Sequence, residues 1–448
     1  VDTGGTYTDA VLMEDNERII ASSKSLTTKS DLSIGIGKAI HDVLDKSASN
    51  PSEIVLASLS TTLATNALVE GHGENVGLVA IGFTEQDLQR QGLSKVIKND
   101  PVFFLTGGHT HSGEEKYSLD LRKLNETLSL EIKKTLNQFG VIFIKNGLRL
   151  ELSFDFLIYY DHEAVLGNAA ETFGYNFPIR FDYLDTFDGA NLSLQTHPTN
   201  EFIRENFGEK FTQDETYYIL DTKPGAEVYL GFNQDIDKEE FHNALLESKA
   251  ESKVMDVERF VQKHSVKKHD LFLIPNGTIH CSGKDNLVLE ISSTPYIYTL
   301  KMYDWMRLDL DGNPRPLNIE RGMKVLNFGC KGVEVVDKYI SKQNVIHSGD
   351  NWKIIHLSTH PKHFYEIFRY EFSNYLEIKT NSQCHILNLV EGEKLEVITN
   401  DRKMIVHFSE TFVIPANVKI YKLVNVGTEE IKVIQSNVKP EFCGTRFD

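Results

Sequence analysis

The spacing of hydrophobic and polar positions changes roughly a third of the way along the chain. Before that point, apolar residues recur at helical intervals over residues 30–44 and 121–132, while residues 54–57 and 76–81 form short apolar runs typical of strands. Helices that alternate with strands in this way predict an N-terminal α/β domain. We place this domain at residues 1–145.

From about residue 154 onwards, short apolar runs alternate with Gly, Pro and Asn turns. A helical insert over residues 235–268 interrupts them, with helices expected at residues 237–247 and 254–261. Many short strands separated by turns are typical of β-sandwiches and jelly rolls. We therefore predict a mixed fold, in which the α/β domain is followed by an all-β unit of two barrels at residues 146–345 and 346–448. The predicted strands are residues 226–232, 271–274, 287–291, 296–303, 386–390, 394–398, 412–414 and 430–434.

The composition argues against several classes of partner. Of 448 residues, 47 are Lys or Arg and 64 are Asp or Glu, which gives a net charge of −17, whereas nucleic acids and anionic membrane surfaces bind basic faces. No apolar run approaches the roughly 18 residues of a membrane span. The four cysteines are far apart, which disfavours a disulfide framework or a cysteine zinc site and favours a reducing, cytoplasmic location. We predict neither a nucleic acid nor a membrane as partner, and the oligomeric state stays open.

One group of residues combines ligand types that divalent metals use. Gln195 and His197 are two positions apart, so on one strand their side chains face the same way. Glu215 follows 18 residues after His197, and His280 ends the run Pro-Asn-Gly-Thr-Ile-His. Taken alone, each histidine is more often a core residue than a ligand. A closed barrel could bring the two imidazoles, the carboxylate and the amide around one ion such as zinc, with manganese or cobalt as alternatives.

The last of these runs resembles a known family motif. Pro275, Gly277 and His280 fit the second cupin motif, Pro-x-Gly-x-x-His. Two positions depart from the motif, since His269 stands in place of its leading Gly and Lys284 in place of its later Asn. The resemblance implies a jelly-roll barrel with a metal site inside.

Together with the preceding Gln-x-His-Pro and the intervening Glu, this motif resembles the type I mannose-6-phosphate isomerases over roughly residues 150–440. The resemblance implies a double jelly-roll (cupin) fold. It also implies a metal-dependent enzyme that interconverts mannose 6-phosphate and fructose 6-phosphate, with a sugar phosphate as its partner. Carried over position by position, it implies the metal ligands Gln195, His197, Glu215 and His280.

The same resemblance implies catalytic residues. Glu290 matches the family's active-site carboxylate and is expected to move the proton between C2 and C1 of the sugar. The family's catalytic Arg falls near Lys301, which keeps the charge but lacks the bidentate fork. Lys301 or Arg307 is expected to hold the phosphate or the enediolate charge, unless Arg307 pairs with the acidic turn 309–313. The alternative function is a barrel that binds a sugar phosphate without turning it over.

The N-terminal segment resembles a different family. Backbone N–H groups and the Thr hydroxyl of its Gly-Gly-Thr turn could cradle a phosphate, and the preceding Asp could face a metal–nucleotide. With residues 60–67 and 106–109, the segment resembles the N-terminal region of the hydantoinase A/oxoprolinase family, related to actin-like ATPases, although a second Gly-Gly-Thr loop is absent. The resemblance implies half of an actin-like ATPase and, as a further alternative, an ATP-dependent hydantoinase/oxoprolinase-type subunit. The implied nucleotide-binding residues are Asp2, Gly4, Gly5 and Thr6.

Two features of the C-terminal part predict structure rather than chemistry. His356, His360 and His363 form a second His-rich stretch, which Pro361 and the lack of a close carboxylate assign to a surface loop. The second barrel is expected to be free of metal, because residues 418–421 stand where a ligand His would follow.

Overall fold

The chain divides into two compact units, Val1–Ser153 and Phe154–Asp448. The structure is a computed structural model. No helix among the residues that it describes is both long and apolar enough to cross a membrane. It describes residues 1–3, 7–14, 18–28, 32–51, 54, 60–61, 78–81, 84–85, 102–106, 141–145, 148–152, 154–293, 298–308, 312–400 and 402–444.

The described part of the first unit contains one helix and three small sheets. Helix α1 packs Ala39 and Val43 against Ala10 of the first sheet, whose strand order is β3-β2-β1-β4. Strands β5 and β6 pair in parallel, and β7 and β8 form a hairpin. The bounds are β1 (Asp2–Thr3), β2 (Tyr7–Glu14), β3 (Arg18–Leu26), α1 (Leu32–Ser47), β4 (Ser60–Thr61), β5 (Leu78–Ile81), β6 (Val102–Leu105), β7 (Val141–Lys145) and β8 (Leu148–Leu152).

Two predictions for this unit are confirmed and two are not reached. The helix predicted at residues 30–44 is α1, and β5 lies within the strand predicted at residues 76–81. The helix predicted at residues 121–132 and, apart from Ile54, the strand predicted at residues 54–57 lie outside the described residues.

The second unit begins with a region of two antiparallel sheets, β13-β12-β15-β10-β17 and β14-β11-β16-β9, which we call the first β region. Side chains from both sheets, among them Tyr217 and Leu230, meet in one buried cluster between them. Its strands are β9 (Ile179–Asp185), β10 (Leu194–Thr196), β11 (Asp214–Thr222), β12 (Glu227–Phe232), β13 (Val261–Ser265), β14 (Leu271–Ile274), β15 (His280–Ser282), β16 (Asn286–Ser293) and β17 (Leu300–Tyr303). Six helices precede, interrupt or follow these strands: α2 (Phe154–Leu166), α3 (Ala170–Phe173), α4 (Asn200–Phe207), α5 (Lys238–Glu251), α6 (Ile319–Val325) and α7 (Val333–Tyr339).

A second β region completes the unit, with the sheets β18-β19-β20-β27-β22-β25 and β21-β26-β23-β24. The two regions share a core, because Tyr218 and Ile291 of the first pack in one cluster with Ile367 and Ile434 of the second. Strands β11 and β16 are therefore buried on both faces. The strands are β18 (Gln343–Gly349), β19 (Trp352–Leu357), β20 (Tyr365–Phe372), β21 (Tyr375–Lys379), β22 (His385–Glu391), β23 (Lys394–Ile398), β24 (Lys403–His407), β25 (Thr411–Ile414), β26 (Ile420–Asn425) and β27 (Ile431–Val438).

The first predicted helix of the helical insert is present in the structure, and the second is not. Asp237 caps α5 by accepting the backbone N–H of Glu240 at 2.7 Å, and Phe241 and Leu245 are buried, as the helical spacing indicates. The helix expected at residues 254–261 is wrong, since that segment holds only the 3₁₀ turn Val257–Arg259 before β13 begins. Pairing with the edge of β12 satisfies the backbone of β13 and overrides the local spacing.

The surface-loop prediction for the His-rich stretch is also wrong in part. His356 lies on β19. His363 is completely buried, and its ring stacks on that of Tyr365, with the ring centres 5.1 Å apart. The hydroxyl of Tyr365 donates to the backbone carbonyl of Ile291 at 2.9 Å. This segment therefore packs where the two β regions meet, which local sequence does not reveal.

Candidate metal centre

Strand register brings three predicted residues onto one row of the first sheet. Gln195 of β10 lies directly opposite His280 on one side and Lys301 on the other, and His280 in turn lies opposite Leu230. Residues opposite each other in an antiparallel sheet share a face. Leu230 belongs to the cluster between the sheets, so this row faces the interior of the first β region.

The facing sheet supplies the carboxylates in two neighbouring rows. In one row, Ser292 stands between Glu215 and Arg180. In the next row, Glu290 stands between Tyr217 and Asp182. Tyr217 belongs to the interior cluster. The same register therefore places Glu215 and Glu290 towards the interior, together with Arg180 and Asp182 of β9.

Two histidines and a glutamate meet between the sheets. The Nε2 atom of His197 lies 3.0 Å from Glu215 Oε2, and Nε2 of His280 lies 2.7 Å from Glu215 Oε1. At most 1% of any of these three side chains is exposed. Within the described part of the chain, they form the one group of three His, Cys, Asp or Glu side chains close enough to share an ion.

The hydrogen bonds of the two rings fit a cation at this point. Each ring uses Nδ1 on a backbone carbonyl at 2.9 Å, His197 on Tyr298 and His280 on Thr278. With Nδ1 as the donor, each Nε2 carries a lone pair and faces the carboxylate of Glu215. Two acceptors at such distances repel each other unless a proton or a cation lies between them. Backbone hydrogen bonds of this kind are those that fix the tautomer of metal-binding histidines.

The charges of the three side chains depend on each other. Burial alone would raise the pKa of Glu215. When a proton rather than a cation lies on each Nε2, the positive charges of His197 and His280 and their hydrogen bonds bring this pKa well below its usual range. Burial would lower the pKa of His197, but Glu215 raises it above its ordinary value. The cluster is therefore built around an ionised carboxylate that requires positive charge beside it.

The fourth predicted ligand stands next to this group. The amide Nε2 of Gln195 lies 3.4 Å from Nε2 of His280. The two ends of an amide have almost the same shape, so rotation about the last side-chain bond would turn its oxygen to the same point. The structure thus brings together Gln195, His197, Glu215 and His280.

A tight turn sets the position of His280. Gly277 has φ +82°, and its N–H donates to the backbone carbonyl of His197 at 3.0 Å. Asn276 is held by Asp214, whose Oδ1 accepts both the backbone N–H at 2.6 Å and the side-chain amide at 2.8 Å. The Pro-x-Gly-x-x-His run is therefore tied to His197 itself and to Asp214, the residue that precedes Glu215.

Glu290, the predicted catalytic carboxylate, lies beside the cluster and has partners that sequence reasoning missed. Arg180 Nη2 lies 3.3 Å from Glu290 Oε1, and Gln213 Nε2 lies 3.5 Å from the same atom. Gln213 also donates to Glu215 Oε2 at 3.0 Å. Burial, followed by the charge of Glu215, raises the pKa of Glu290 well above its usual range, while Arg180 opposes the rise.

The two predicted cationic residues, Lys301 and Arg307, lie in different surroundings. Lys301 shares the inner row with Gln195. Arg307 instead donates to Asp304 Oδ1 from Nε at 3.0 Å and from Nη2, and Arg315 Nε lies 3.2 Å from Asp304 Oδ2. The structure therefore joins Arg307 to a buried carboxylate of its own segment rather than to the His–Glu–His cluster, and that carboxylate is not in the turn 309–313.

Of the predicted nucleotide-binding residues, Asp2 is exposed on β1, opposite Asp9 and Ser60. The remainder of that set, Gly4, Gly5 and Thr6, lies outside the described residues.

The second β region contains Tyr421 in the segment where the sequence predicts no ligand His. The hydroxyl of Tyr421 lies 3.0 Å from His385 Nδ1.

Comparison with known proteins divides the chain in two. Residues 1–145 match the model of the hydantoinase/oxoprolinase N-terminal region. The acetophenone carboxylase gamma subunit of Aromatoleum aromaticum is 41% identical over 83 residues, which are 18% of this chain and 11% of that protein.

The C-terminal part is related to mannose-6-phosphate isomerases. The enzyme of that name from Streptococcus mutans is 27% identical over 254 residues, covering 57% of this chain and 72% of the relative. One from Bacillus subtilis is 24% identical over 257 residues, covering 57% and 74%.

Solved structures agree in fold with this isomerase-like part. The mannose 6-phosphate isomerase from Bacillus subtilis has a TM-score of 0.52 and 22% identity, over 63% of this chain and 81% of that one. A phosphomannose isomerase variant from Salmonella typhimurium has a TM-score of 0.51 and 13% identity, over 67% and 88%.

Proposed function

We propose that this chain is a metal-dependent aldose–ketose isomerase that interconverts mannose 6-phosphate and fructose 6-phosphate. The observation that carries the proposal is the buried cluster of His197, Glu215 and His280, with their Nε2 and carboxylate atoms turned towards each other inside an isomerase-like β fold. A double jelly-roll (cupin) architecture and a cytoplasmic location belong to the same proposal.

The residues that would hold the ion are Gln195, His197, Glu215 and His280. A divalent cation bound there, zinc in the first place and manganese or cobalt otherwise, would supply Lewis-acid polarisation of the sugar carbonyl. Two imidazoles, one carboxylate and one neutral amide match the ligand preferences of these ions. Because both rings use Nδ1 on backbone carbonyls, the Nε2 atom of each histidine is left to bind the ion.

The remaining steps fall to two side chains beside this cluster. Isomerisation moves a proton between C2 and C1 of the sugar. We assign the acceptance and return of this proton to Glu290, and its position on the interior-facing side of β16 supports the assignment. Lys301, on the inner row with Gln195, supplies positive charge for the phosphate or for the oxygen that becomes negative.

The proposal is tested with purified full-length protein, stripped of metal and then reloaded with zinc, manganese or cobalt. Formation of fructose 6-phosphate from mannose 6-phosphate is measured. We expect turnover that returns with metal and is lost in His197→Ala and His280→Ala. His385→Ala is the matched control, since it removes another buried histidine, held by Tyr421 in the second β region. Full turnover by His197→Ala would refute the proposal, and calorimetric binding without turnover would select the non-catalytic alternative.

A further inference from the structure

We propose that Arg180 is a positioning residue that holds Glu290 in place beside the metal cluster. The inference rests on the proposed function only for the role of Glu290 as proton carrier. That Arg180 fixes the place of this carboxylate is a statement about geometry, which can be tested separately.

The strand pattern places Arg180 within reach of two carboxylates at once. Arg180 and Asp182 are two positions apart on β9, so their side chains share a face, and Asp182 lies directly opposite Glu290 on β16. Arg180 is the diagonal neighbour of Glu290. Its Nη2 lies 3.3 Å from Glu290 Oε1 and its Nε lies 3.2 Å from Asp182 Oδ2, so one guanidinium bridges two strands.

The contacts of Arg180 with the two carboxylates offset a repulsion that the strand register creates. Two carboxylates directly opposite each other on neighbouring strands repel, and Glu215 adds a third carboxylate on the same inner face. A planar guanidinium can contact two carboxylates through different nitrogen atoms, whereas the single ammonium of a lysine does so less well. Arg180 thus offsets the repulsion through an ion pair with Asp182, while its hydrogen bond from Nη2 sets the direction of the Glu290 carboxylate.

Glu290 is tethered from the other side as well. The amide Nε2 of Gln213 lies 3.5 Å from Glu290 Oε1 and 3.0 Å from Glu215 Oε2. The carbonyl oxygen of Gln213 is fixed by the backbone N–H of Tyr298 at 2.9 Å. Arg180 and Gln213 therefore reach the same oxygen of Glu290 from β9 and from the metal side.

Side-chain exposure rises from the metal cluster outwards across these two neighbouring rows. Glu215 is completely buried, 8% of the Glu290 side chain is exposed, and the values for Arg180 and Asp182 are 27% and 45%. Arg180 therefore stands between the buried carboxylate and the solvent-facing one. A substrate that approaches Glu290 from the solvent-exposed side of β9 would therefore pass Arg180, which contacts the Glu290 carboxylate on that side.

The experiment compares Arg180→Ala, Arg180→Gln and Arg180→Lys with the unmodified protein. Crystal structures at equal metal load report the position of Glu290, and kcat and KM for mannose 6-phosphate report the consequence. Arg315→Ala is the matched control, because its side chain is 28% exposed and also paired with a buried carboxylate, Asp304. Arg180→Gln keeps polar bulk without charge, so that loss of folding in Arg180→Ala does not end the test.

We expect the carboxylate of Glu290 to move by about 1 Å or more in Arg180→Ala and Arg180→Gln, and kcat to fall about 100-fold with a much smaller change in KM. Arg180→Lys should recover part of kcat, all variants should keep one ion per chain, and Arg315→Ala should keep kcat. An unmoved Glu290 in both charge-removing variants, or a loss of kcat in Arg315→Ala equal to theirs, overturns the inference. If the unmodified protein fails to isomerise the sugar, the proposed function fails, while the position of Glu290 in the variant crystals still decides the role of Arg180.

Discussion

The turn that carries His280 allows a quantitative test of how the backbone sets the metal cluster. Gly277 has φ +82°, and a Cβ built on it would lie 2.7 Å from the backbone carbonyl oxygen of Val325. Gly225 has nearly the same conformation, φ +85°, but no atom lies within 4 Å of its Cβ position. Gly277→Ala therefore adds a clash to the conformational cost, whereas Gly225→Ala carries the conformational cost alone.

The expected magnitudes differ accordingly. Left-handed backbone costs an alanine about 1–2 kcal/mol, which is the whole effect expected for Gly225→Ala. In Gly277→Ala, a carbonyl of the backbone must also move. This weakens the bond from the Gly277 N–H to His197 and the bond from the Asn327 N–H to the Gly277 carbonyl, 3.0 and 2.8 Å long. At about 1 kcal/mol each, these losses bring the expected destabilisation to about 3–4 kcal/mol.

The assay is urea unfolding of both variants in the presence of a chelator, so that metal binding does not contribute, followed by measurement of zinc affinity. Because Gly277 bonds to the backbone of His197 and precedes His280, we expect affinity for zinc to fall about tenfold in Gly277→Ala and to stay unchanged in Gly225→Ala. Equal destabilisation by the two substitutions, or equal affinity for zinc, would show that close packing at this turn does not set the cluster.

Other side chains give further tests. Burial opposes ionisation of Glu391, but hydrogen bonds from Lys432 and a second lysine lower its pKa to about 2. The stabilisation is then present above pH 4.5 and lost as the pH falls towards 2, so urea unfolding should show the difference between the unmodified protein and Glu391→Gln shrinking over that range. Lys301→Ala should raise KM for mannose 6-phosphate in steady-state assays, and unchanged kinetics would remove Lys301 from the site. Arg307→Ala should lower the free energy of unfolding by about 1–3 kcal/mol, because its buried partner loses hydrogen bonds; calorimetry measures this, and an unaltered Tm would contradict it. Magnesium-ATP titrated into the protein should release heat that Asp2→Ala abolishes; no heat with the unmodified protein would remove the nucleotide site.

Three of the four predicted ligands could be recognised because each lies in a local pattern with a fixed geometric consequence, whereas Glu215 lies in no such pattern and is implied by the family resemblance. Gln195 lies on β10 and His197 directly follows its last residue, in keeping with the two-residue period, and Gly277 makes the turn that presents His280. Arg180 and Gln213 lacked such a signal. In the run Ile179-Arg-Phe-Asp182, alternation of apolar and charged residues is ordinarily read as a strand with its charged face in solvent. Here the apolar face packs towards the second β region, as Ile179 does in the shared core, and the charged face lines the interior.

His269 shows how a departure from a motif is offset by distant residues. It occupies the position where the cupin motif has Gly, and it has φ +75°, a conformation that favours glycine. Burial, followed by the charges of Arg369 and Lys432, lowers its pKa to about 4, so the ring is neutral near pH 7. A neutral ring protonated on Nε2 can accept from the Tyr218 hydroxyl at 2.7 Å and donate to Glu391 at 2.9 Å. Glu391 belongs to the second β region. The imidazole of His269 therefore makes this backbone conformation costly but also links the two β regions through Glu391. Its partners Tyr218 and Glu391 are far away in the sequence, so only the packed structure brings them within reach.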